Sequence, residues 1–180
     1  QIPVYLSAGT LSGMRRPVHP AELLRAGQRL AIRGLEVQVV GVSHDAREPT
    51  QFVLSDGQRR FGMLTDLGMA TAEVLECYRA VDALVVEANH DSTMLAGGPY
   101  PYFLKARVGG SRGHLNNHQS AELVKQLDWG RMQHLVLAHL SEKNNSPQLA
   151  RQTFVDTLGC DPGWLQVADQ HSGLDWREIA

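Results

Sequence analysis

The chain has 180 residues, 43% hydrophobic and 20% charged, with a formal net charge of −2. That length buries roughly 70% of the unfolded surface in one core, and the composition excludes a disordered, collagenous or coiled-coil chain. A charge so close to neutral exerts no global pull on nucleic acid, so a phosphate partner has to be met by a local patch. No stretch approaches the run of about 20 apolar residues that a membrane-spanning helix needs, and the start carries no signal-peptide pattern. Cys77 and Cys160 are the only cysteines, too few for a disulfide framework, which points to a reducing cytoplasm. Residue 1 is Gln, not Met; the expectation is a single domain over 1–180 that is part of something longer.

Ile2 to Ser7 is a short β-rich run, Ala8 to Met14 suits a helical turn, and Arg16 to Pro20 is a proline-containing stretch with little pattern. Alternation begins at Gln28: Leu30 and Ile32, then Leu35, Val37 and Val39, predict an antiparallel hairpin about Arg33-Gly34. Phe52 to Leu54 and Phe61 to Leu64 flank Ser55-Asp56-Gly57-Gln58, a second hairpin, since Asp-Gly suits a tight turn. Ala72 to Tyr78 reads as a helix with Val74, Leu75 and Tyr78 on one face. Ala83 to Val86 is continuously apolar, the mark of a strand covered on both faces, and runs into the polar string Glu87-Ala88-Asn89-His90-Asp91. Residues 92 to 112 lack a clear period and read as loop with helical pieces. An Asn-capped helix follows over Asn117 to Leu127, then a buried strand over Leu135 to Leu140. A helix with Pro147 in its first turn runs to Leu158, and a strand spans Trp164 to Ala168. The sum is a β-meander followed by βαβα units, an α/β or α+β sandwich with helices over sheet faces.

Three predicted strands end in, or turn just after, a metal-capable side chain: His44, Asp66 and His139. Imidazole nitrogen and carboxylate oxygen suit zinc and manganese, and a carboxylate can bridge two such ions. Each also has a plain reading: an exposed turn at His44-Asp45, a helix cap at Asp66, a hydrogen-bonded core histidine at His139. Asn116, Asn117, Asn144 and Asn145 are short amides beside histidines, suited to phosphate oxygens or a sugar, or simply to capping turns and helices, as Asn117 and Ser146 are placed to do. Lys105, Arg107 and Arg112 precede His114, and Lys143 follows His139; they form either a phosphate-positioning patch or a solvated loop. Tyr100, Tyr102 and Phe103 either stack on bases or belong to the core.

Five motifs occur in one order: Val-Ser-His44-Asp-Ala-Arg-Glu-Pro, Leu-Thr-Asp66-Leu-Gly, Val-Val-Glu87-Ala-Asn-His-Asp, Gly-His114-Leu-Asn-Asn and Leu-Ala-His139-Leu-Ser-Glu-Lys-Asn-Asn. Together they resemble the metallo-β-lactamase superfamily. More narrowly, they resemble the WalJ/YycJ-like phosphoesterases and exonucleases, relatives of ribonuclease Z and ribonuclease J, from about Ile2 to about Leu158. The resemblance implies an αββα sandwich in which His44 ligates a first metal, Asp66 bridges two, His139 ligates the second, and Glu87 with His114 protonates the leaving group. It implies two divalent cations, Zn or Mn, in the complete protein. It also implies phosphodiester hydrolysis, in this branch by a 5′-to-3′ DNA exonuclease, with Asn116, Asn117, Lys143, Asn144 and Asn145 toward substrate.

Members of the family carry a His-x-His-x-Asp-His motif upstream of the strand that matches Ile2 to Ser7. This sequence has none: Arg15-Arg16-Pro17-Val18-His19-Pro20 lacks the aspartate, and His114 with His118 lacks both carboxylate and spacing. The expectation is therefore the C-terminal part of such a domain, N-terminally incomplete, with each metal short of the three protein ligands a catalytic zinc normally has, and inactive by itself. The expected partner is a nucleic acid or phosphodiester, with no membrane and with self-association open. Two rival readings remain: a phosphodiesterase for a small molecule, and a non-catalytic remnant that binds a partner through an unpaired sheet edge.

Overall fold

The computed structural model describes residues 2–16 and 18–180, so Gln1 and Pro17 of the proline-containing stretch lie outside the described residues. The chain order is β1 (Val4–Ser7), α1 (Ala8–Gly13), β2 (Ala21–Leu24), β3 (Arg29–Ile32), β4 (Leu35–Gly41), β5 (Thr50–Ser55), β6 (Arg60–Leu64), α2 (Ala72–Tyr78) and β7 (Ala83–Glu87). It continues with α3 (Ser92–Gly97), α4 (Tyr102–Val108), α5 (Asn117–Lys125), β8 (His134–Ala138), α6 (Pro147–Leu158) and β9 (Leu165–Val167). Strands β3 to β9 form one sheet in sequence order, while β1 and β2 pair in parallel as a separate ribbon.

The two halves of the large sheet differ because their connections differ. Strands β3 to β6 pair antiparallel, β3–β4 and β5–β6 through short turns and β4–β5 through the longer loop 42–49 that carries His44; at the first turn, Arg33 and Gly34 both have positive φ (49° and 88°), the conformation a two-residue hairpin turn needs. Strands β6 to β9 are parallel, so each must be reached by a helical crossover. Three right-handed crossovers stepping in one direction place α2, α5 and α6 on the same face. Their apolar sides close a core with the inward positions of the strands: Leu84 and Val86 of β7 and Leu135 and Leu137 of β8 meet Val74 and Tyr78 of α2, Leu123 and Val124 of α5, and Phe154 of α6. Phe154 is fully buried, and truncating such a ring to Ala costs about 3–5 kcal/mol. The buried Tyr78 hydroxyl donates to the Met63 carbonyl at 2.7 Å, so even the polar end of this core is satisfied.

The helical pieces expected within the loop over 92–112 are α3 and α4, each under two turns and therefore without a readable period. The sequence reading and the structure part company in three places. Strand β2 has no signal in the sequence, because Ala-Glu-Leu-Leu has no β-branched residue and reads as helix-tolerant; only pairing with β1 makes it a strand. The N-cap of α5 is Asn116, whose side chain accepts from the Gln119 amide in a full capping box, and Asn117 is the first helical residue. Strand β8 stops at Ala138, before His139.

The decisive consequence of the topology is direction. Because β5 is antiparallel to both β4 and β6, the strands β4, β6, β7 and β8 all run the same way, and their C-terminal ends lie along one edge. His44 follows β4 by three residues, Asp66 follows β6 by two, Glu87 ends β7 and His139 follows β8 directly. That edge is where open α/β sheets hold ligands.

Candidate metal centre

Asp66 and His139 leave their strands with positive φ, 53° and 57°. Left-handed backbone at a residue other than glycine costs of order 1–3 kcal/mol and persists where the surroundings over-determine it. The surroundings here are specific. The Asp66 amide donates to Glu87 Oε2 at 3.0 Å, and the His139 carbonyl accepts from the Asn89 side-chain amide at 3.0 Å. The strained turns bring Asp66 Oδ1 and His139 Nε2 to 3.6 Å from each other at the strand ends.

Each of the three histidines is held through Nδ1, and His44 Nε2 also lies 3.5 Å from Asp45 Oδ1. His44 Nδ1 lies 3.0 Å from the Gly113 carbonyl, while His114 Nδ1 and His139 Nδ1 each lie 3.2 Å from Glu87 Oε2. The loop that carries Gly113 is pressed against the strand-end residues: Gly68 donates to the Ser43 carbonyl, and the Ser43 hydroxyl donates to the Ser111 carbonyl, both at 2.8 Å. A Cβ on Gly68 would lie 2.6 Å from the Gly113 nitrogen, so glycine is what permits this approach. Asp66 Oδ1 then sits 3.8 Å from His44 Nε2 and 3.6 Å from His139 Nε2, with the His114 ring between the other two, 5.1 Å from each centroid to centroid.

Glu87 organises this set. It is fully buried, and its Oε1 accepts from the Leu115 amide at 2.7 Å while Oε2 faces the Asp66 amide and the two imidazoles. Burial pushes its carboxyl up, but the hydrogen bonds from His114, His139 and Leu115 outweigh that and hold it below the ordinary carboxylate value. The same contact from Glu87 raises the His139 imidazole above its ordinary value, against burial, with the Asp66 charge acting in the same direction.

The donor chemistry fits divalent cations. Metal bonds of about 2.1 Å meeting at a tetrahedral angle put two donor atoms about 3.4 Å apart, close to the spacing of Asp66 Oδ1 from the two Nε2 atoms. Among the described residues, one donor atom each from Asp66, Glu87, His114 and His139 lie within 4.8 Å of one another. Glu87 already accepts at both oxygens, which suits it to orienting ligands, as a carboxylate behind a metal-bound histidine does.

A Beta-lactamase superfamily domain matches residues 1–140. The chain belongs to the metallo-β-lactamase superfamily. It is 31% identical over 162 residues to the exodeoxyribonuclease YycJ of Bacillus anthracis, covering 87% of this chain and 61% of that protein. It is 32% identical over 155 residues to the exodeoxyribonuclease WalJ of Streptococcus pneumoniae (strain D39), covering 86% of this chain and 55% of that one. The chain thus spans little more than half the length of the curated relatives it matches. Among solved structures, the superfamily fold is shared with Zn(2+)-bound PqqB from Methylobacterium extorquens, at 17% identity and a TM-score of 0.67, over 96% of this chain and 64% of that one. No helix among the described residues is long and apolar enough to cross a membrane.

Around this cluster the structure sorts the remaining expected residues. His44, Asp66, Glu87, His114 and His139 come together at one edge, but the four asparagines do not line up as substrate groups. Asn117 and Asn145 are buried and exchange reciprocal amide hydrogen bonds at 2.9 and 2.8 Å, and Asn145 also donates to the Ala88 carbonyl at 2.7 Å. This corrects the expectation that their amides face substrate: they clasp α5, the β7 end and the loop after β8 together. Asn116 is engaged as the α5 cap. Asn144 is fully buried with Oδ1 unpaired among the described residues. Lys105 donates to the Ala96 carbonyl and Arg107 pairs with Asp45, so neither is a free cation. Tyr102 and Phe103 are exposed and outside the core. Asn89 is the residue the sequence did not single out; its only signal was its place two residues after Glu87 at the end of a buried strand.

Proposed function

We propose that this chain carries the greater part of the catalytic machinery of a metal-dependent phosphodiester hydrolase, a DNA exonuclease. The observation that carries the reading is the arrangement about Glu87: one buried carboxylate orients His114 and His139 through Nδ1, and Asp66 Oδ1 stands between the Nε2 atoms of His44 and His139. The names of the two exodeoxyribonuclease relatives support the same class of reaction and substrate. His44 with Asp66, and Asp66 with His139, would hold two divalent cations, zinc or manganese, which when bound supply Lewis acidity and a nucleophile at neutral pH.

The chain's own residues do the rest. Glu87 accepts from His114 Nδ1, which leaves Nε2 as the position from which a proton can be given. Protonated there, His114 gives that proton to the alkoxide oxygen as the phosphorus–oxygen bond breaks, a task suited to an imidazole oriented by a carboxylate. Asn89 keeps His139 in register by holding its carbonyl. This sequence offers each cation two ligands where a catalytic zinc normally has three, so by itself the chain binds metal weakly and is inactive. Its two free cysteines suit a reducing cytoplasm.

Reading the coding DNA ahead of Gln1 for a His-x-His-x-Asp-His stretch tells whether the remaining ligands are supplied in cis. In the whole protein, His114→Ala slows release of nucleotides from end-labelled DNA on the order of a hundredfold, with metal content unchanged. Loss of metal in step with activity would make His114 a ligand and overturn its role as proton donor.

A further inference from the structure

Three cavities border the histidine row; one, of about 480 Å³, touches it only at His139, and the other two are lined by different members of it. One, of about 480 Å³, is lined by His44 and Asp66 together with Thr10, Arg47, Glu48 and Gln51. The other, of about 350 Å³, is lined by His114 and His139 together with Asn89, Tyr100, Glu142 and Lys143. The proton donor proposed above opens onto the second and not the first. A general acid has to lie within hydrogen-bond reach of the oxygen it protonates, and in-line displacement puts that oxygen opposite the nucleophile. The leaving group therefore belongs in the second cavity.

We propose that the cavity lined by His114, His139, Tyr100 and Lys143 is a subsite for a single leaving nucleotide, its base against Tyr100 and its far phosphate at Lys143. The proposal rests on the phosphodiesterase reading and extends it to what is released. A volume at the low end of the roughly 300–1,000 Å³ of small-ligand sites is enough for one nucleotide. Tyr100 offers a ring on which any base can stack. Lys143 has no hydrogen-bond or ion-pair partner among the described residues, unlike Lys105 and Arg107, and its loop is anchored. Ser141 donates to the Asn89 carbonyl and Asp91 to the Asn144 carbonyl, both at 2.8 Å. A cation in a leaving-group pocket implies a leaving group with an anion of its own, which a nucleoside has only when its other end carries phosphate. Glu142, the one carboxylate in the lining, accepts where a nucleotide donates, from a base amino group or sugar hydroxyl.

The step consumes one water. Its oxygen bonds to phosphorus, and the bond from phosphorus to the leaving sugar oxygen breaks with its electron pair on that oxygen. His114 supplies the proton that makes it a hydroxyl, and the proton lost by the water passes to solvent, from which His114 is reprotonated.

The test is to titrate this chain, in EDTA, with thymidine, thymidine 5′-monophosphate and thymidine 3′-monophosphate while following the imidazole proton resonances of His114 and His139. One monophosphate should bind at least tenfold more tightly than thymidine, as expected for a charge-assisted contact, and the preferred isomer gives the polarity of cleavage. Lys143→Ala should abolish that preference, Tyr100→Ala should weaken all three ligands about tenfold, and Arg47→Ala, in the other cavity, should change nothing. Equal binding of the three ligands, no binding, or the same loss in Arg47→Ala overturns the subsite. End-labelled DNA given to the metal-loaded whole protein separates this from the underlying reading. Cleavage indifferent to Lys143→Ala sinks the subsite alone, whereas absent cleavage with Lys143-dependent nucleotide binding sinks the exonuclease and leaves the subsite.

Discussion

Strand β7 has a buried carboxylate at each end, and the two are satisfied in opposite ways. Asp82, one residue before the strand, is 2% exposed and accepts from the Arg60 amide at 2.8 Å and from the Arg131 guanidinium at 2.9 Å. Its partners are permanent donors with nothing further to do, so it stitches the N-terminal edge of the sheet. Glu87 accepts from two amides and two imidazoles, and each imidazole keeps a second nitrogen that Glu87 does not engage. A carboxylate held by guanidinium is a closed contact; one held by histidines is half of a relay. Burial and charge alone do not separate them, since both are acidic, buried and hydrogen-bonded. The identity of the donors does.

The sharpest way to break that comparison is to remove each acid in turn. Glu87→Ala strands two imidazoles and two buried amides, and unfolding by denaturant should show a loss of about 3–5 kcal/mol together with lost metal affinity. Asp82→Ala should cost about 1–3 kcal/mol, since Arg131 is largely exposed and re-solvates, and should leave metal binding at wild-type strength. Metal affinity that falls as far in Asp82→Ala as in Glu87→Ala would show that the two ends are not distinct. Asn145→Ala, which opens the buried amide clasp behind the site, should cost about 1–3 kcal/mol by the same measurement. Asp66→Asn tests the outer carboxylate. Asparagine tolerates the left-handed backbone, so stability should hold while metal affinity drops about tenfold or more, and unchanged affinity would remove Asp66 from the ligand set.

The smallest expected effect is on pH dependence in EDTA, and its sign differs for the two partners. Glu87 is held below its ordinary 4.5, so its contribution to stability is complete above that value and is lost as pH falls through the folded one. His139 is raised above its ordinary 6.5, so its contribution is complete below 6.5 and is lost as pH rises through the folded value. The denaturation midpoint should therefore be highest between about 4.5 and 6.5, and Glu87→Gln should flatten both shoulders. A flat wild-type profile would mean that the contacts about Glu87 contribute no net stability.

Much of the fold and of the site is legible in the sequence. Helix α6 declares itself by Ser146 and Pro147 at its start, β7 and β8 by unbroken apolar runs, and the second hairpin by Asp-Gly, because propensity, capping and period act between near neighbours in the chain. The order of five polar motifs pointed to one family, since strand ends have few positions at which a ligand can be presented. Tertiary structure decided what depends on distant segments meeting. Asn117 and Asn145 look like substrate groups in one dimension and are each other's partners in three. Strand β2 exists only against β1, and the left-handed turns at Asp66 and His139 exist only because Glu87 and Asn89 hold them. That one buried carboxylate grips two imidazoles 27 and 52 residues further on is a property of where β7 and β8 end, and no local rule reports it.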